Sequence, residues 1–223
     1  MTQPQPGGAG ETDSRDVLDL ILDDHREFER LLRELRNRDA NRQARLREFA
    51  DLLVAHAEAE EREVYPVLKR AAPEERDEIA HSFEEHEEGH EALAALQEVS
   101  DGDQDTFEER LEELVEAVTH HLDEEERDVL NAAREEVDLA TREKLGDAFL
   151  NARNDLIAQQ PGDPEKVREL IAARKDQDSS SQGPSVPAGG RGPRSEASRG
   201  VDERRRARRA VAPAPGPVAC GAR

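Results

Sequence analysis

The chain has no tryptophan, one tyrosine, one cysteine, one methionine and five phenylalanines among its 223 residues. With so few aromatics, any core must be built mainly from Leu, Val, Ile and Ala. The single cysteine, Cys220, excludes an internal disulfide and fits a reducing cytoplasm. No apolar run approaches the roughly 18 residues that a membrane-spanning helix requires. The opening MTQPQPGGAGETDS has neither a basic start nor an apolar segment, so it does not read as a secretory signal. Cationic residues are in the minority, with 32 Lys and Arg against 53 Asp and Glu, a net charge of −21. The excess is confined to the first 158 residues, at −26, while residues 159–223 carry +5. A phosphate backbone would be repelled by that acidic body, so nucleic acid is not expected as its partner.

What is present is helical periodicity. Leu18, Ile21, Leu22, Phe28, Leu32 and Leu35 form one stripe, on a helix expected over about residues 14–36. A second helix, about 42–70, carries Leu46, Phe49, Leu53, Val64 and Val67, and Pro66 is expected to kink it or end its regular part. Pro73 followed by Glu74 and Glu75 reads as the start of a third helix, with Ile79, Phe83, Leu93 and Leu96 inward. SDGDQD (100–105) reads as a turn. Thr106 with Glu109 then reads as a capping box for a fourth helix bearing Phe107, Leu111, Leu114, Val118, Val129 and Ala132.

Four amphipathic helices joined by short turns predict an all-α fold, an antiparallel up-and-down four-helix bundle over residues 14–137. Residues 1–13 read as a disordered leader. Helical stretches at 139–159 and 163–174 make an accessory segment, 138–175, expected to pack outside the bundle. From 176 to 223 the Ser, Gly, Pro, Ala and Arg content predicts a disordered basic tail. Its DERRRARRA (202–210) suits either an anionic surface or the acidic body of the same chain.

Each stripe is interrupted by residues that do not belong in a core. His25 sits among Ile21, Leu22 and Phe28, and His56 and Glu60 stand between Leu53 and Val64. His86 and His90 stand between Phe83 and Leu93, and His121 and Glu125 between Val118 and Val129. Residues four apart share one face of a helix, so each such pair can aim two ligands at one point. Burying an unpaired carboxylate costs several kcal/mol. Two of them among five imidazoles make sense around a cation, and nitrogen with carboxylate oxygen suits iron, manganese or zinc. His81 and His120 fall off the stripes, and Glu58, Glu61, Glu124 and Glu126 read as a solvated face. Gly89, between two candidate ligands, weakens the helix, and it either serves close approach near the site or is incidental, the second being the preferred reading.

There is an internal near-repeat. His56, Glu60, Glu61 and Val64 recur as His121, Glu125, Glu126 and Val129 at an offset of 65, which also maps His25 onto His90. Such a relation suits a two-metal site between two helix pairs.

DDHREF (23–28), HAEAEEREVYP (56–66), EEHEEGH (84–90) and HLDEEERDVL (121–130) together resemble the hemerythrin-like, or HHE cation-binding, domain of bacterial type. The resemblance implies a non-haem di-iron centre bridged by oxo or hydroxo, with manganese or zinc as possible substitutes. It implies that His86, His90 and His121 ligate one iron, that His25 and His56 ligate the other, and that Glu60 and Glu125 bridge them. The iron with fewer ligands would be left open to a small ligand. Oxygen-carrying hemerythrins place an aspartate five residues after the last histidine, whereas here that position is Glu126 and the inward candidate is Glu125. That departure bears on reversible oxygen carriage, not on metal binding. The implied role is binding or sensing of oxygen, peroxide or nitric oxide. Peroxide breakdown and iron storage or buffering are the alternatives.

Overall fold

The structure is a computed structural model, and it describes residues 16–38, 41–100 and 102–181. The leader expected at 1–13 and the tail from 182 lie outside the described residues. Helix α1 spans Val17–Leu35, α2 Arg42–Ala59, α3 Tyr65–Ala71, α4 Arg76–Gln97, α5 Gln104–Glu124, α6 Leu130–Glu136, α7 Leu139–Ile157 and α8 Pro164–Ser181. There is no strand among the described residues. None of these helices is long and apolar enough to cross a membrane.

The starts are chemically determined. Asp16 caps α1 by accepting from Leu18 N–H, Asn41 caps α2 through Ala44 N–H, and Asp138 caps α7 through Thr141 N–H. The capping box expected at Thr106 is not the start of α5. Asp103 accepts from Thr106 N–H, and the helix begins at Gln104. With the helix started one turn earlier, Glu109 N–H lies inside it and is no longer an orphan donor, which leaves the Thr106 hydroxyl nothing to cap.

The regular part of the second helix ends ahead of Pro66, as expected, although the proline does not cause it. A π turn, Glu60–Val64, joins α2 to α3, and Tyr65 N–H reaches back five residues to Glu60 C=O. The same turn recurs at Glu125–Val129 between α5 and α6, where Leu130 N–H bonds Glu125 C=O. The second copy has Asn131 where the first has Pro66, so the proline is not its cause. π turns of this kind concentrate at functional sites, and both start at a candidate ligand.

Two apolar clusters hold the helices together. One contains Phe28, Leu31, Leu35, Phe49, Leu53, Leu93, Leu96, Leu111, Leu114 and Val118. The other contains Val17, Leu18, Ile21, Val64, Tyr65, Leu68, Ile79, Val129, Leu130 and Phe149. Along α1 and α4 the chain passes from the second cluster to the first, and along α2–α3 and α5–α6 from the first to the second. The histidines and glutamates fall between the clusters on all four. Each buried Phe or Leu contributes about 1.5–3 kcal/mol, so a polar layer is flanked on both sides by the main source of stability.

The accessory segment is integral to this packing. Helix α7 packs on α1 and α2, and α8 packs on α4. α8 reaches Ser181, beyond the expected boundary at 175. The α7–α8 turn is seated on α2: Gly162 N–H donates to Asp51 Oδ1 (2.9 Å), and Gln97 donates to Gly162 C=O (2.8 Å). A Cβ on Gly162 would fall 2.3 Å from Ala50 C and Asp51 N. A Cβ on Gly89 would meet nothing within 4 Å, so close approach does not explain that glycine.

Thermal denaturation should therefore separate two glycine-to-alanine variants. Gly162→Ala loses roughly 1–3 kcal/mol by overpacking against backbone. Gly89→Ala is neutral or gains about 0.5–1 kcal/mol by relieving a helix-interior glycine.

Candidate metal centre

Six of the seven expected residues converge in two groups that share Glu60. Donor atoms of His25, His56, Glu60 and Glu125 lie within 4.8 Å of one another, as do those of Glu60, His86 and His121. His56 Nε2 is 3.2 Å and His86 Nε2 3.4 Å from Glu60 Oε2. His25 Nε2 is 3.2 Å from Glu125 Oε2, and His86 and His121 face each other through their Nε2 atoms at 3.1 Å. The seventh, His90, is buried one turn beyond His86 on α4 but belongs to neither group.

Four imidazoles are oriented through their other nitrogen. Nδ1 of His25 is 2.8 Å from Glu126, that of His56 3.0 Å from Asp24, that of His86 2.9 Å from Glu61 and that of His121 3.1 Å from Glu85. Each carboxylate can only accept, so each Nδ1 carries the hydrogen, and each ring, once it is neutral, turns an Nε2 lone pair inward. This overturns the reading of Glu61 as a solvated side chain, while Glu126 is exposed as expected and still holds His25, and it adds Asp24 and Glu85, which the stripes did not single out. These residues flank the inward positions by one, so they lie on the seam between helices.

The orientation reveals a twofold relation different from the expected one. Between α2 and α5 the offset is 65, pairing His56 with His121 and Glu61 with Glu126. Between α1 and α4 the matching residues are His25 with His86 and Asp24 with Glu85, an offset of 61. His25 therefore corresponds to His86, not His90. The contacts follow the same symmetry, since His25 meets Glu125 and Glu126 while His86 meets Glu60 and Glu61. His90 is the addition that makes the two halves unequal.

Tyr65 also breaks the symmetry, because its counterpart at the offset of 65 is Leu130. Its buried hydroxyl donates to Glu125 Oε1 at 2.8 Å and lies 3.3 Å from Glu60 Oε2. The π turn brings Tyr65 back over Glu60. Its ring stacks on His86, with centroids 5.8 Å apart. Phe28 and Phe149 present their edges to His56. Sequence reading missed Tyr65 as a site residue, although it is the only tyrosine and follows the HAEAEEREV run.

Helices α7 and α8 reach the site through arginines. Arg153 on α7 pairs with Asp24 at 2.6 Å, and Arg174 on α8 pairs with Glu61 at 2.9 Å and Glu58 at 2.5 Å. One histidine of each group is thus held by a carboxylate that is itself held by an accessory helix.

The layer fits a cation because of what its atoms lack. His25 Nε2, His56 Nε2, both nitrogens of His90, Glu60 Oε1 and Glu125 Oε2 are buried without a hydrogen-bond partner. Leaving so many buried polar atoms unmet is expensive, at about 1–3 kcal/mol each. His25 Nε2 and Glu125 Oε2 approach to 3.2 Å without the alignment of a hydrogen bond. That is the arrangement of atoms facing a common third centre.

Charge acts in the same direction. Burial disfavours a charged His56, but the Glu60 and Asp24 carboxylates overcome it and raise its pKa to about 10. Burial likewise opposes charge on His86, and Glu60 and Glu61 raise it to about 9. Burial works against ionised Glu60, yet His56 and His86 hold it well below the usual carboxylate range. His90 goes the other way: burial, then Arg174, His86 and His121, keep it neutral. Protons on His56 and His86 thus occupy the place of a cation.

A model of the hemerythrin HHE cation binding domain matches residues 16–133. The chain belongs to this family. No curated protein and no solved structure matches it significantly. The family match covers all seven candidate ligands, the four orienting carboxylates and Tyr65. It ends before α7 and α8, so Arg153 and Arg174 come from outside the HHE segment.

Cation affinity should depend on pH with a defined sign. A cation must displace the protons on His56 and His86, so affinity rises as pH rises from 6.5 towards 9 and 10. The thermal stabilisation of loaded over metal-free protein should shrink steadily as pH is lowered through this range.

Proposed function

We propose that this chain is a non-haem di-iron protein that binds or senses a small oxidant ligand such as oxygen, peroxide or nitric oxide. The observation that carries the reading is the pair of His/Glu groups sharing Glu60, set between two apolar clusters. Two imidazoles on one side and two on the other, with His90 in reserve beside His86, match a centre with unequal halves. His86, His90 and His121 would hold one ion, His25 and His56 the other, and Glu60 and Glu125 would lie between them. The fewer ligands on the His25–His56 side leave room there for a small molecule. Bound iron would supply redox chemistry, with manganese or zinc as substitutes. The alternating passage of successive helices between the two clusters supports the antiparallel up-and-down form of the bundle. The lone cysteine supports a reducing cytoplasmic setting.

The chain's own groups perform three tasks. Asp24, Glu61, Glu85 and Glu126 fix the rings, and as anions they make the imidazoles better donors. Leu, Val and Phe on both sides exclude bulk water, which strengthens every charge interaction in the layer. Tyr65 donates its hydroxyl hydrogen to Glu125 and is kept protonated by burial and by the two carboxylates, which raise its pKa well above the usual value. A hydroxyl that keeps its hydrogen beside the layer is a hydrogen-bond donor for charge developing on a peroxide oxygen, which favours peroxide breakdown as the second reading.

Protein purified aerobically from iron-replete cells should contain about two irons per chain, as this donor set implies, with absorption characteristic of an oxo-bridged pair. Glu60→Ala and His121→Ala should lose most of that iron, while Glu88→Ala, on the exposed face of α4, should retain it. Tyr65→Phe should keep the iron. If it also abolishes peroxide turnover, the enzymatic reading is favoured, and unchanged turnover or none in either protein favours binding. An iron-free parent protein sinks the di-iron reading.

A further inference from the structure

Four ionisable side chains meet on the α4–α5 face, three outside the buried centre and the fourth, Glu85, at its edge. His81 and Glu85 are one turn apart on α4, and His120 and Glu124 are one turn apart on α5. Each offers a donor atom, and the four atoms lie within 4.8 Å of one another. His81 Nε2 is 3.7 Å from Glu85 Oε1 and 3.8 Å from Glu124 Oε2, and His120 Nε2 is 3.7 Å from Glu85 Oε1. These separations are too long for hydrogen bonds. Metal–ligand bonds of about 2.1 Å in a tetrahedron place donors about 3.4 Å apart, so small rotations of exposed rings would seat a cation.

The outward atoms are fixed from behind. His81 Nδ1 donates to Glu84 at 3.2 Å, which leaves Nε2 with its lone pair. Glu124 takes Arg127 on Oε1 at 3.2 Å and turns Oε2 to the cluster. Glu85 takes His121 Nδ1 on Oε2, and its Oε1 is the oxygen nearest both outer imidazoles. Glu85 is only 4% exposed, and its Oε1 is buried with no hydrogen-bond partner. An orphaned carboxylate oxygen aimed at two imidazoles is an independent sign of a missing ligand, beyond the grouping of charges.

We propose that His81, Glu85, His120 and Glu124 bind one divalent transition cation of the zinc type, separate from the buried centre. Two imidazoles and two carboxylates are a borderline-soft tetrahedral set that suits Zn2+ over Mg2+ or Ca2+. The rings of His81 and His120 are 38% and 59% exposed, so the cation enters from solvent and exchanges readily. Glu85 is shared: one oxygen serves the outer ion and the other holds His121. The two centres are therefore one carboxylate apart.

The test is Zn2+ binding to the full chain as purified, with its buried metal retained, followed by equilibrium dialysis and elemental analysis. The parent should take up one Zn2+ in addition to its existing metal, and the His81→Ala/His120→Ala double variant should take up none. Each single variant should weaken binding on the order of tenfold or more, the effect expected for disturbing a metal's coordination. The buried metal should be unchanged throughout, which separates this proposal from the di-iron reading. Both substituted rings lie at the surface, and circular dichroism of the variants verifies the fold. The proposal is overturned if the parent binds no additional Zn2+, if the double variant binds as much as the parent, or if Zn2+ enters only by displacing the buried metal.

Discussion

Buried carboxylates and imidazoles at one level of an apolar bundle are the constraint on which the rest of this structure depends. Glu60 and Glu125 are inaccessible to water, and so are the nitrogens that face them. A charge in that position is tolerable only when neutralised by a proton or a cation. Without a cation, His56 and His86 supply the protons, at the expense of Nε2 lone pairs that point nowhere else. The layer is thus poised for exchange of protons for metal, and the two flanking apolar clusters give the stability that makes such a layer affordable.

The hydrogen bonds at Nδ1 turn a set of side chains into a site. Each of four rings is held by a different carboxylate from a neighbouring helix, in a pattern that repeats about a twofold relation. His90 and Tyr65 are the two departures from it, and both lie on the side of His86. An exactly symmetric layer would offer two equivalent positions. The asymmetry makes the two groups of donors chemically unequal.

Helices α7 and α8 alter the picture of an HHE bundle with an appendage. Their arginines neutralise Asp24 and Glu61, the carboxylates that hold His56 and His86. Gly162 seats their connecting turn directly on the backbone of α2. The accessory segment is therefore continuous with the site, and the acidic surplus of the first 158 residues is partly answered from the basic side of the same chain.

Periodicity of 3.6 was enough to place four helices and to select the inward histidines and glutamates, because residues four apart share a face whatever the surroundings. The π turns escaped it, since nothing in the residue pattern distinguishes five-residue from four-residue hydrogen bonding. So did the roles of Asp24, Glu61, Glu85 and Glu126, each one position away from an inward residue. Whether such a flanking side chain meets water or a neighbouring helix depends on how the helices cross, and periodicity along one helix carries no information about that. The match of His25 to His90 failed because the run from His86 to His121 is longer than that from His25 to His56, chiefly through the longer stretch of α5 before the site, and only packing sets the relative height of the helices. His81 and His120 looked like unrelated surface residues, because each occupies the outer face of its own helix. Adjacent packing of α4 and α5 brings those faces edge to edge. The sequence by itself determined which residues point inward, and the tertiary structure decided which of them meet.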